Sequence, residues 1–163
     1  MKKVLGIVGS PRKHGNTHIL VSQILSGAKL HGAATDLLFL KDLRIQECDG
    51  CHRCWKGKRC SKKDDMNEIY PKIIESDVLV FGTPVYWYGP TGLMKCFMDR
   101  FVYFNCPENR KGIKGKSAVL AVPFEDKKYE TADLLVQFFE RSLDYLEMKI
   151  VGKVLVSGVA KQE

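Results

Sequence analysis

Five short apolar runs, separated by stretches of helical periodicity, set the plan of this chain. Lys3 to Val8 is rich in Val and Ile and stops at Gly9-Ser10-Pro11, the pattern of a buried strand. Asn16 or Thr17 then caps a helix to about His31, with Ile19, Leu20, Ile24 and Leu25 on one face. Thr35 to Leu40 reads as a second strand and Val78 to Phe81 as the third. Thr91 opens a helix with Leu93, Phe97, Phe101 and Phe104 along one side. Strand four at Ser117 to Val122, a helix from Ala132 to Leu146 and strand five at Ile150 to Val156 complete the alternation. Residues 45–63 are too polar for either element. After them, Asp65-Met66-Asn67-Glu68 has capping-box spacing and opens a helix towards Glu75, which Pro71 should kink or shift.

Strands alternating with helices bury a parallel sheet between two helical layers. Five of them suit an α/β, flavodoxin-like three-layer sandwich with strand order 2-1-3-4-5. Its binding crevice opens at the carboxyl ends of strands one and three. No repeat, low-complexity tract or linker intervenes, so 1–163 reads as one domain with a cysteine-rich insertion at 45–63. No final helix pattern follows strand five before Glu163, which leaves one sheet face short of cover. Either the chain is incomplete as given, or a homo-oligomer (dimer or tetramer) shields that face with a partner subunit.

The two loops at the crevice carry the candidate chemistry. After strand one, Gly9-Ser10-Pro11-Arg12-Lys13-His14-Gly15-Asn16-Thr17 supplies hydroxyl and amide donors, two cations and a helix N-terminus, the parts of a phosphate cradle. Five residues separate its glycines and Asn16 stands where a Walker loop needs Lys; G-x-G-x-x-G is also absent. A monophosphate such as that of FMN fits better than a dinucleotide, and an ordinary Gly/Ser/Pro loop with an Asn cap is the plain alternative. After strand three, Thr83-Pro84-Val85-Tyr86-Trp87-Tyr88-Gly89-Pro90-Thr91 gathers three aromatics on a short connection. Such residues suit stacking on a flat ring, or packing on the domain or on a partner subunit.

Together these loops resemble those of the flavodoxin-like NAD(P)H-dependent FMN reductases, whose first loop reads like GSPR…GNT and second like PVYW. The resemblance covers essentially the whole chain. It implies a flavin oxidoreductase that uses NAD(P)H, with Ser10, Arg12, Asn16 and Thr17 at the phosphate and Pro84, Val85, Tyr86 and Trp87 along the ring. His14 or His18 is placed to touch the phosphate, although the four histidines are scattered and surface roles suit them equally. No side chain stands out as an acid or base.

Cys48-x2-Cys51-x2-Cys54-x5-Cys60 is denser than the separated C-x-x-C pairs of a zinc ribbon. Its first three cysteines have the spacing of a [4Fe–4S] loop, but the fourth comes after five residues and before Ser61 rather than Pro. With Asp64-Asp65-Met66 just beyond, the motif resembles the iron–sulfur flavoprotein branch of the same family. A [4Fe–4S] cluster, zinc and metal-free thiols all stay open for these four. Cys96 reads as a small core residue; Cys106 has no assigned task.

Composition narrows the setting. At 163 residues and 45% hydrophobic, a domain buries roughly 70% of its unfolded surface and needs no disulfide staples. The apolar run Val4 to Val8 is too short for a secretion signal, and no stretch reaches the ~20 apolar residues of a membrane span. A cytoplasmic protein with reduced thiols is expected, without membrane association. Net charge is +7, from 26 Lys+Arg against 19 Asp+Glu. Arg53, Lys56, Lys58, Arg59, Lys62 and Lys63 crowd the cysteines, and Arg110, Lys111, Lys114 and Lys116 form a second group. The first group suits an acidic electron carrier such as ferredoxin. Nucleic acid fits poorly, because no recognition helix accompanies the charge.

Overall fold

In a computed structural model, which describes residues 1–160, the five apolar runs form one parallel sheet. Its strands are β1 (Lys3–Val8), β2 (Ala34–Phe39), β3 (Val78–Gly82), β4 (Ser117–Pro123) and β5 (Lys149–Val156), in the order β2-β1-β3-β4-β5. The helices are α1 (Asn16–Leu30), α2 (Met66–Glu75), α3 (Gly92–Asp99), α4 (Pro107–Arg110) and α5 (Asp133–Tyr145). The strand order is the one expected, and the elements lie within two residues of their expected ends except α3. That helix stops at Asp99 and gives way to a 3-10 segment at Arg100–Asn105 that carries Phe101 and Phe104; the four-residue α4 is an addition.

Alternate strand side chains feed two cores, as the period of two requires. Leu5, Ile7, Leu79, Phe81 and Leu120 pack on Ile73 of α2, Phe97 of α3 and Phe139 of α5. Val4, Val8, Val80 and Ala121 meet Val21 and Leu25 of α1 on the opposite face. Each such side chain contributes about 1.5–3 kcal/mol when fully buried. Among the described helices, α1 alone joins that second core. Towards the β5 edge Val151 is 56% exposed and Val154 36%. Glu163 lies outside the described residues.

Two local expectations change. Asp65 occupies the N-cap of α2 but does not cap it; its carboxylate accepts the Arg44 N–H at 2.6 Å. Asp64 Oδ1 instead accepts the Met66 N–H at 3.2 Å. Pro71 does not break α2, which runs unbroken to Glu75. Its missing amide frees only the Asn67 carbonyl, and both residues are exposed, so water satisfies the loss. Residues 45–63 are irregular apart from one 3-10 turn at Cys54–Lys56. No described helix is long and apolar enough to cross a membrane.

Candidate functional site

A cleft of about 600 Å³ opens at the carboxyl ends of β1, β3 and β4. Its walls are fixed to one another by hydrogen bonds to the Gly9 backbone. The Gly9 N–H donates to the Gly82 carbonyl at 2.7 Å, and the Thr91 hydroxyl donates to the Gly9 carbonyl. The same Thr91 oxygen caps α3 by accepting the Met94 N–H at 3.1 Å. Gly9 has to be glycine: a Cβ there would stand 2.8 Å from Met94 Cβ. The first and third loops therefore share one rigid base.

On that base, Ser10, Arg12, Asn16 and Thr17 line one side of the cleft. Ser10 Oγ accepts the Arg12 N–H at 3.1 Å and sets the turn. The expected side-chain cap is absent: Gly15 is the N-cap of α1, and no side chain accepts from the first amides. Those amides carry the positive end of the helix, with exposed Arg12 beside them. That arrangement can take an anion. Lys13 also lines the cleft and is paired with Asp42 at 2.8 Å.

Pro84, Val85 and Tyr86 form the facing wall. Beyond them the chain makes a two-residue turn, with Tyr86 N–H to Gly89 carbonyl at 2.8 Å and the reverse bond at 3.1 Å. Its central residues, Trp87 (φ 51°) and Tyr88 (φ 66°), both lie in the left-handed region. Trp87 is 95% exposed. It projects from the rim and does not line the cleft. His18 also points elsewhere, onto Phe39, with its Nδ1 buried and without a hydrogen-bond partner. Burial, with His14 nearby, holds its pKa below the ordinary value. Pro123 at the end of β4, with Phe124 and Glu125 just after it, also lines the cleft. Sequence reasoning passed over them, although the strand order places the end of β4 beside that of β3.

The four motif cysteines come together as a second pocket, also lined by Ser61, Tyr70 and Arg100. All six cysteines of the chain are free thiols. Cys54 is buried and Cys51 exposed. Burial, and then the neighbouring Cys60, Cys48 and Cys51, push the Cys54 thiol up. Four soft sulfur donors around one pocket are of the type that suits a group that takes thiolates and offsets their charge. Among the described residues, no three metal-binding side chains stand close enough to hold one ion. The room at the centre is about 20 Å³, close to one water molecule. The segment that carries Cys48 and Cys51 is irregular, with no helix or strand.

Beneath this pocket lies a buried ion pair. Arg100 and Asp64 side chains are 1% and 0% exposed, and they join at 2.5 Å and 3.2 Å. Burial opposes the Asp64 charge, but the Arg100 guanidinium and the Gln46 N–H outweigh it and hold the carboxyl below the usual range.

The sequence matches the NADPH-dependent FMN reductase family over residues 2–161. The chain belongs to this family. An iron–sulfur flavoprotein of Methanocaldococcus jannaschii is 40% identical over 98 residues, which is 60% of this chain and 51% of that protein. One from Archaeoglobus fulgidus is 43% identical over 98 residues, 60% of this chain and 48% of its own length. The chain thus spans about half the length of these relatives. A Bacillus subtilis protein, named for NAD(P)H-dependent, FMN-containing oxidoreductase activity, is 29% identical over 96% of this chain and 85% of its own. Among solved structures, the NAD(P)H:quinone oxidoreductase of Methanothermobacter marburgensis superposes with a TM-score of 0.76. It shares 15% identity and covers 99% of this chain and 89% of its own, a likeness of fold.

Proposed function

We propose that this chain is an FMN-dependent oxidoreductase in which the cysteine pocket holds a [4Fe–4S] cluster. The observation that carries the flavin is the facing of two unlike surfaces across one cleft. Open amides and Arg12 suit a phosphate; Pro84, Val85 and Tyr86 offer an apolar wall to a ring. Bound FMN would supply two-electron and one-electron transfer, and the cluster one-electron transfer alone. The protein's part is position and field. Ser10, Arg12, Asn16 and Thr17 would hold the phosphate, and the Thr91–Gly9 bond keeps their loop fixed to the ring-binding wall. Helix α3 begins at that Thr91 and ends at Arg100 beside the cysteines, about 13 Å along its axis at ~1.5 Å per residue. One short helix thus links the two sites.

NAD(P)H or a reduced ferredoxin-like carrier is the donor we favour. Arg53, Lys56, Lys58 and Arg59 are exposed around the cysteine pocket and form no ion pair among the described residues, so an acidic carrier has a surface to meet. Its reduction of the protein should slow steeply with added salt. Neither nucleic acid nor membrane is proposed as a partner. A reducing cytoplasm suits six free thiols, and exposed Val151 and Val154 suit contact with a second copy, which sedimentation at micromolar concentration would detect.

The test uses the cradle. Replacing Arg12 and Asn16 together with Ala should weaken FMN at least tenfold, as lost charge-assisted bonds of about 1.5–3 kcal/mol imply, and leave riboflavin nearly unchanged. Equal loss for both ligands would remove the phosphate from this site.

A further inference from the structure

The buried Arg100 does more than close an ion pair. Its four terminal N–H groups all have partners: two meet the Asp64 carboxylate, one the Gln46 carbonyl at 2.8 Å and one the Cys60 sulfur at 3.3 Å. Asp64 in turn accepts the Gln46 N–H at 2.8 Å. One guanidinium therefore ties together both ends of the cysteine segment, Gln46 before it and Asp64 after it, and still presents one N–H to a sulfur in the pocket. The Tyr70 hydroxyl fixes the same stretch by donating to the Arg100 carbonyl at 3.1 Å.

A carboxylate alone does not require this geometry. A lysine would satisfy Asp64, whereas the planar fork reaches carboxylate, carbonyl and sulfur at once. The pairing also cancels most of the guanidinium charge at a distance. What remains near Cys60 is a short-range donor, held in place before any group binds.

We propose that Arg100 is a positioning residue that holds the Cys60 sulfur in place as a ligand and, through its N–H···S bond, favours the reduced state of the cluster bound there. The inference rests on the cluster proposed above. Adding one electron to a thiolate-ligated cluster adds one negative charge, part of it on the sulfurs. A donor already aimed at one sulfur stabilises that added charge, so it raises the potential.

The test is a reductive titration of the full-length chain, reconstituted anaerobically with iron, sulfide and FMN, with dithionite as the electron donor. Bound FMN in each sample reports whether the fold is intact. Arg100→Lys keeps the charge and the Asp64 contact but loses the reach to Cys60. We expect it to keep FMN and to lose about tenfold in the preference for the reduced cluster, a fall of about 59 mV for a one-electron couple. Asp64→Asn keeps the donor and removes the neutralising carboxylate, so its potential should rise above that of the unmodified protein. Shifts in opposite directions follow from a donor at Cys60. A brace that only closes the loop would give iron loss in both variants with no such reversal. Unchanged potentials in FMN-loaded variants overturn the role of Arg100 alone, as does iron loss in both. An unmodified protein that takes up no iron overturns the cluster and this inference together.

Discussion

Trp87 and Tyr88 stand where a two-residue turn ordinarily takes Asn and Gly, because both central positions need a positive φ. A side chain in that region costs roughly 1–2 kcal/mol per residue, and neither residue is buried enough to recover it. Replacing the pair with Asn-Gly should therefore raise unfolding stability in urea, by up to about 2–4 kcal/mol for the two residues together. A variant less stable than the parent would show that the aromatics pack in a way their exposure hides. The sequence displayed these aromatics and the donors of the first loop plainly, since both sit in short runs with a recognisable order. It did not show that Trp87 and His18 turn away from the cleft. A φ of 51° and a contact with Phe39 decide those directions, and neither is a property of neighbouring residues.

Helix α3 and the insertion packed on its end show what periodicity reveals and conceals. Phe97, Phe101 and Phe104 mark the buried stripe, and Arg100 falls on the same stripe by helical spacing. A cation there needs an acid, and that demand was the available signal. Its partner Asp64 lies 36 residues earlier, beyond any local window. The pair also gives the molecule an acid limit. Asp64 has a folded pKa below its ordinary 3.8, so its contribution is complete above about pH 4 and disappears as pH falls through the lower folded value. Breaking one partner of a buried pair costs about 3–5 kcal/mol. Unfolding followed by circular dichroism between pH 5 and 2 should show this loss, and Asp64→Asn should flatten it. An equally steep acid limb in that variant would assign the loss to the exposed carboxylates.

For the whole molecule, strand order was legible because five apolar runs alternating with helices leave few parallel arrangements, and the crevice then falls at the ends of β1 and β3. The cysteine segment was legible only as chemistry. Its spacing named the donors, while its path depends on Gln46, Asp64 and Arg100, which no motif contains. Two sites on one chain, linked by α3, form the central claim, and one preparation tests it. Protein made and reconstituted without oxygen should carry one FMN and about four iron per chain, and Cys51→Ala should lose the iron and retain the FMN. FMN-loaded protein that holds no iron under those conditions would contradict the account.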